Sequence, residues 1–289
     1  MKLVIFGMGY TAQALVAEMQ PLATGTVIGT TRSEDKAAVL RDTGVTPRLF
    51  PGDDMRPDLE AASHVLITAG PQDGADPVLY HLRWLLAELA PRLDWVGYLS
   101  TTGVYGDHQG GWVDESTPLT PATRRGRARV ATEGEWQALA RDHGLPLHIF
   151  RLPGIYGPGR GPFEKVRDGT ARRIIKDGQV FSRIHVEDIA QALLASMARP
   201  DPGAIYNICD DDPAPPQDVL SYAAELLGVA LPPAIAFEDA GMSPMARSFY
   251  AESKRVDNTR MKRELGVRLR YPTYKAGLEA LLAAERRKS

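Results

Sequence analysis

The chain lacks most of the features that mark specialised protein classes. It carries one cysteine, Cys209, which excludes an intrachain disulfide and leaves zinc without a thiolate cluster. Cys209 reads as a small core residue, and no metal site is expected. Although 44% of the residues are hydrophobic, no apolar run reaches the roughly 18 residues that a bilayer span requires. A globular chain without a membrane partner is therefore expected. The net charge of −2 supplies no global field for polyanions, so nucleic acid is not an expected partner. Lys2 precedes a short apolar stretch, but Gly7 and Gly9 interrupt it and no small-residue cleavage site follows. The expectation is a cytoplasmic chain without a secretory signal. Internal repeats and low-complexity segments are absent, and the charges of the Asp210 to Pro216 loop are expected to be solvated.

What is present is a rhythm. Short apolar runs at Leu3 to Phe6, Thr26 to Thr30, Arg48 to Phe50, His64 to Thr68, Trp95 to Leu99 and Leu147 to Arg151 read as strands. Helical patterns at Ala12 to Met19, Glu34 to Leu40, Val78 to Leu89 and Thr123 to Arg141 separate them, with Ser33 as an N-cap. Such alternation predicts an α/β fold with a doubly wound parallel Rossmann sheet. After Pro153 the rhythm gives way to Gly- and Pro-rich loops with helices near Val186 to Met197, Gln217 to Leu227 and Tyr274 to Ala284. The domain reading is a nucleotide-binding unit over 1–152 and a smaller substrate lobe over 153–289, interleaved with the core around 179–200. The Val78 to Leu89 helix presents an apolar arc wider than one half-buried face needs. It packs on the sheet, or it also forms the seam of a homodimer.

Gly7, Gly9 and Ala12 form Gly-x-Gly-x-x-Ala directly after the first strand and at the start of a helix. In this context Gly7 permits a sharp turn, Gly9 lets backbone approach a pyrophosphate, and Ala12 keeps the helix close to its strand. The whole turn, Gly7, Met8, Gly9, Tyr10, Thr11 and Ala12, is the candidate dinucleotide cradle. An NAD-preferring site usually has a carboxylate at the end of the second strand. This chain has Thr31, Arg32 and Ser33 there, a cation and two hydroxyls suited to a 2′-phosphate, so NADP(H) is expected over NAD(H).

The segments Met1 to Ala12, Ser100 to Gly106 and Arg151 to Gly159 resemble an extended short-chain dehydrogenase/reductase of the NAD(P)-dependent epimerase/dehydratase family. Further matches at Lys254 to Gly266 and Pro272 to Leu278 extend the resemblance over essentially the whole chain. It implies a cofactor site to which Asp53, Ala69, Gly70 and Pro153 also contribute. It implies Thr101 as the hydroxyl that positions a substrate oxygen, followed by a helix carrying Tyr-x-x-x-Lys. Counting back from Glu133, those two positions hold Arg125 and Arg129, one helical turn apart on one face. Guanidinium stays protonated near neutral pH, so neither residue can both donate and accept a proton, though each can hold an anion or a hydroxyl. The pattern resembles the atypical branch of the superfamily. Arg129 is assigned to the nicotinamide ribose and Arg125 to an anionic ligand group. Tyr105, Tyr156, His185 and Asp114 are the alternatives for a proton donor, each with a structural role as its counterpart. Where nucleotide-sugar enzymes of the family hold a diphosphate with arginine, this chain has Phe181, with Arg183 two positions away and Arg160 in a nearby loop. Two functions follow: an NADP(H)-dependent oxidoreductase or epimerase-like enzyme with a non-standard proton donor and an unknown small polar substrate, or a non-catalytic NADP(H)-binding sensor or scaffold.

Overall fold

The structure, a computed structural model, describes residues 1–22, 25–72 and 74–287. In chain order the strands are β1 (Lys2–Phe6), β2 (Thr26–Thr31), β3 (Val45–Leu49), β4 (His64–Ile67), β5 (Trp95–Thr101), β6 (Trp112–Val113), β7 (Leu147–Leu152), β8 (Gly154–Tyr156), β9 (Arg173–Ile175), β10 (Arg183–His185), β11 (Ile205–Asn207), β12 (Ala234–Ala236) and β13 (Arg255–Val256). The helices are α1 (Tyr10–Met19), α2 (Glu34–Arg41), α3 (Arg56–Glu60), α4 (Pro77–Leu89), α5 (Arg124–His143), α6 (Phe163–Arg167), α7 (Val186–Ala198), α8 (Pro216–Leu227), α9 (Pro244–Phe249), α10 (Thr259–Leu265) and α11 (Tyr274–Arg286).

A seven-stranded, all-parallel sheet runs in the order β11-β7-β5-β4-β1-β2-β3. Parallel strands need both faces covered, and β1 shows how the sequence provides this. Leu3 and Ile5 pack into the core layer under α1 and α7, while Val4 and Phe6 pack into the opposite layer with Leu79, Leu86 and Trp136 of α4 and α5. The strand order reverses between β1 and β4. At such a switch point the loops leaving the two strands diverge and open a crevice beyond their carboxyl ends. Gly7 leaves β1 there, and Ala69 and Gly70 leave β4.

Two sequence readings need correction. The third strand lies three residues earlier than expected, at Val45–Leu49, because Pro47 does not break it: β3 is the sheet edge, where a missing amide donor is tolerated. A seventh strand, β11, was not anticipated. Only three residues long, it pairs with β7 through Ile205–Ile149, Tyr206–Phe150 and Asn207–Arg151. The interleaving drawn at 179–200 therefore runs further along the chain, since β11 completes the sheet and Met261 and Leu265 of α10 join its core. The remaining C-terminal elements make a separate small core from Tyr156, Phe163, Ala223, Tyr274 and Leu278.

Helix α5 carries the residues of interest. Thr123 caps its first turn by accepting from the Gly126 amide at 3.0 Å, and Gly144, at φ +70°, ends it in the left-handed region. On its inner side Glu133 is buried and ion-paired with Arg151 of β7 at 2.7 Å, and Ser100 of β5 donates to the same carboxylate. Ser100, Arg151 and Asn207 are abreast on adjacent strands. The ion pair thus clamps α5 to the carboxyl end of the sheet.

Helix α4 has its expected buried side, Val78, Leu79, Leu86 and Leu89. It also leaves Tyr80 and Trp84 exposed, at 76% and 73% of their surfaces.

Candidate active site

At the end of β1 the chain turns at Gly7, whose φ of +98° lies in the left-handed region. A Cβ there would also stand 2.8 Å from Thr68 Oγ1, so glycine is required twice over. The Gly7 amide donates to Thr30 Oγ1 at 2.9 Å and the Met8 amide to the Thr30 carbonyl at 2.9 Å, which ties the turn to β2. A Cβ on Gly9 would find no atom within 4 Å. Gly9 is the N-cap of α1 without a side-chain cap, so the first-turn amides of the helix are not met by a capping side chain. Unsatisfied amides, the helix dipole and open space together fit a pyrophosphate.

The residues of the turn divide by role. Met8, Thr11 and Ala12 are buried. Met8 fills the space that Gly29 leaves on β2, where a Cβ would come within 2.4 Å of its Cγ, so its contribution to any ligand is backbone only. Tyr10 reaches the other way. Its hydroxyl donates to the Pro158 carbonyl at 3.1 Å, and Arg160 stacks over its ring at 5.5 Å. At the end of β2, Arg32 is exposed and donates to Gln72 Oε1 at 3.3 Å. Ser33 caps α2 by accepting from the Lys36 amide at 3.2 Å, and Thr31 Oγ1 accepts from the Ser33 amide at 3.4 Å. Both hydroxyls keep a proton to donate, while Arg32 brings the positive charge. Asp53 is exposed, and its carboxylate accepts from the Leu49 amide at 2.8 Å, closing its own turn after β3. Pro153, between β7 and β8, is half-buried.

Arg129 joins the switch-point crevice. Its Nη1 donates to Tyr98 Oη at 2.8 Å and to the Leu99 carbonyl at 3.0 Å. Its Nη2 occupies the place of a side chain on Gly70, 2.8 Å from where a Cβ would stand. Gly70 and Arg129, far apart in sequence, are therefore complementary: the missing side chain of one makes room for the guanidinium of the other. Arg125, one turn earlier, is exposed and packs on the Phe249 ring at 5.6 Å. Thr101 caps the short 3-10 turn after β5, its Oγ1 accepting from the Gly103 amide at 3.1 Å, with the hydroxyl proton left to donate.

Tyr105 is placed differently from the sequence reading. It is fully buried, its hydroxyl donating to Asn207 Oδ1 at 2.7 Å and accepting from Arg151 Nη1 at 3.0 Å. Burial pushes its hydroxyl up to about 12. With both hydrogen-bond directions used, Tyr105 extends the Glu133–Arg151 network. Tyr156 is equally internal, set against Gly277 of α11 and raised far above the ordinary range by burial. His185 caps α7 through Nδ1, which accepts from the Glu187 amide at 3.3 Å, and burial lowers it to about 4. The carboxylate of Asp114 accepts from Ser116 and Thr117 within its own turn. Among these residues no group titrates near neutral pH beside Thr101.

The seven-stranded parallel sheet with a glycine turn at its switch point defines a dinucleotide-binding α/β protein. Comparison with known proteins places it within that class. Residues 80–209 match the NAD dependent epimerase/dehydratase family. Protein YeeZ of Escherichia coli (strain K12) is 30% identical over 94% of this chain and 96% of its own length. A solved structure described as a functionally unknown conserved protein from Silicibacter pomeroyi DSS is 58% identical, with a TM-score of 0.92 over 98% of this chain and 99% of that one. The NAD complex of UDP-glucuronic acid 4-epimerase from Bacillus cereus shares the fold, with a TM-score of 0.78 at 18% identity over 98% of this chain and 96% of that one. The chain belongs to the NAD dependent epimerase/dehydratase family.

One further residue departs from its sequence reading. Asp210, expected in solvent, is 1% exposed; Asp212 donates to one carboxylate oxygen and the other has no partner. Burial raises its pKa to about 8. The unfolded chain loses this proton near pH 4, so between about pH 4 and 8 the folded state holds more protons and stability falls as pH rises. Asp210→Asn is expected to abolish this contribution. Thermal unfolding of both proteins from pH 5 to 9 should show the variant's relative stability growing up to about pH 8 and then levelling. Parallel curves across that range would contradict the assignment.

Proposed function

We propose that the protein is an NADP(H)-dependent oxidoreductase of the epimerase/dehydratase type, acting in the cytoplasm on a small polar, anionic substrate. The observation that carries the reading is the open space beside Gly9 at the uncapped N-terminus of α1. The Gly7–Ala12 backbone would hold the pyrophosphate, Arg32 with Thr31 and Ser33 the 2′-phosphate, and Arg129 the nicotinamide ribose. When bound, such a cofactor supplies or accepts a hydride. Thr101 then orients a substrate oxygen with its free hydroxyl proton, and Arg125 pairs with a carboxylate or phosphate at the cleft rim. The proton is exchanged by a group other than the family's tyrosine, since Arg125 holds that position and remains charged.

The second reading, a non-catalytic NADP(H) sensor, is favoured by one observation. Arg129 is already committed to Tyr98 and to the Leu99 carbonyl. Stereospecific hydride exchange on bound NADPH with metabolite pools separates the two: tight binding without exchange supports the sensor.

Cofactor preference rests on Arg32. Calorimetric titration should show NADPH binding at least about tenfold tighter than NADH, worth roughly 1.4 kcal/mol. Arg32→Ala should remove most of that discrimination while leaving NADH affinity within about twofold; equal losses for both cofactors would overturn the preference.

We further propose a homodimer through α4, where Tyr80 and Trp84, an i, i+4 pair, form an exposed aromatic ridge. Sedimentation of the intact chain should show a dimer that Trp84→Glu converts to monomer, and a monomeric wild type at tens of micromolar would refute it.

A further inference from the structure

The C-terminal lobe contains a cavity of about 260 Å3 whose lining includes no residue of the glycine turn, Thr101 or the α5 face. Its apolar walls are Val219 of α8 and Leu278 of α11, with Tyr156 and Tyr274 as aromatic sides. Among the described residues, the charged ones that line it are Arg160 and Arg183. Arg183 is partly buried at the start of β10, and its Nη1 donates to the Phe181 carbonyl at 2.8 Å and the Ala214 carbonyl at 3.0 Å. These two bonds fix the guanidinium plane. Nε and Nη2 find no acceptor among the described residues, and no carboxylate there makes an ion pair with Arg183.

A desolvated cation without a counter-charge is costly, and proteins normally pair it. The nearby Asp210 attracts the Arg183 charge but makes no contact ion pair with it. One of its carboxylate oxygens is buried without a hydrogen-bond partner, and burial raises its pKa to about 8 against the opposing pull of the Arg183 charge. The cavity therefore combines one guanidinium fixed by two carbonyls and set over the Tyr274 ring at 6.0 Å, with no contact ion pair among the described residues, a second arginine in the Gly157–Pro162 loop, and apolar and aromatic walls. Its volume lies just below the roughly 300 Å3 at which drug-sized ligand pockets begin, which limits an occupant to about one ring with one charged group.

We propose that this cavity is a binding site for a small organic anion, a carboxylate or phosphate ester on a compact ring or apolar body, with the anion on Arg183 and the body between Val219, Leu278 and Tyr274. The site is separate from the dinucleotide turn and does not rest on the activity proposed above. Arg183 presents its free edge as a bidentate donor to the anionic oxygens. Arg160, which also lines the cavity, stacks over the Tyr10 ring at 5.5 Å.

The test is calorimetric titration of the intact protein with phenyl phosphate, phenylacetate and, as the neutral counterpart, benzyl alcohol, each with and without saturating NADPH. At least one anion is expected to bind at least tenfold more tightly than benzyl alcohol, with affinity unchanged by NADPH. Phenyl phosphate and phenylacetate distinguish a phosphate ester from a carboxylate. Arg183→Gln should weaken the anion at least tenfold, and Arg125→Ala should leave it unchanged. Should Arg183→Gln fail to fold by circular dichroism, Leu278→Trp, which fills the cavity from α11, carries the same expectation. Equal binding of the neutral compound, displacement by NADPH, full affinity in the folded Arg183 or Leu278 variant, or no binding of either anion at millimolar concentration would each overturn the proposal.

Discussion

The buried pair between Glu133 and Arg151 is the interaction on which the candidate site depends. Both side chains are almost wholly removed from water, 2% and 3% exposed, and stand 2.7 Å apart. Such a pair contributes little net stability over a well-packed apolar replacement, but removing one partner strands a charge in the core at a cost of about 3–5 kcal/mol. Its consequence here is positional. Arg151 also reaches Tyr105, which reaches Asn207, and Glu133 takes Ser100, so α5, β5, β7 and β11 are locked at their cleft ends. Thr101 follows Ser100 directly, and Arg129 lies one turn before Glu133 on α5. Both are held by what happens one residue or one turn away.

That arrangement explains how the protein keeps a cofactor-binding frame while its helix face changes character. The glycine turn, the Thr30 contacts and the uncapped α1 belong to β1, β2 and α1. Arg129 is accommodated because Gly70 has no side chain, and its guanidinium satisfies the end of β5 through Leu99 and Tyr98. Arginine at this position is thus built into the structure rather than tolerated by it. A guanidinium there offers donors to anions and hydroxyls rather than a proton-transfer group.

Much of this was legible in the sequence because it depends on local patterns. Period-two and unbroken apolar runs marked six of the seven main strands, and Gly7, Gly9 and Ala12 marked the turn because that geometry has few chemical solutions. Ser33 was recognisable as a cap for the same reason. The misses share a cause in tertiary context. β11 is too short for any periodicity, and exists because β7 offers it an edge. Tyr105 sits in a loop that sequence places by the cleft, yet Arg151 and Asn207, from distant strands, draw it inside. Asp210 looked like an exposed loop acid, and its burial follows from packing against β10 and the C-terminal segment. The Arg183 cavity is assembled from β8, β10, α8 and α11, so no window of sequence contains it.

The central claim is that the Gly7–Ala12 turn and the α5 face converge on one dinucleotide. Hydrogen exchange of the intact chain with and without saturating NADPH, read by peptide mass spectrometry, addresses it most directly. The account expects slowed exchange at the α1 N-terminus around Gly9–Ala12 and at the β5 end around Leu99–Gly103, with the anion cavity unaffected. Protection confined to the C-terminal lobe, or none at the α1 N-terminus despite binding, would contradict it.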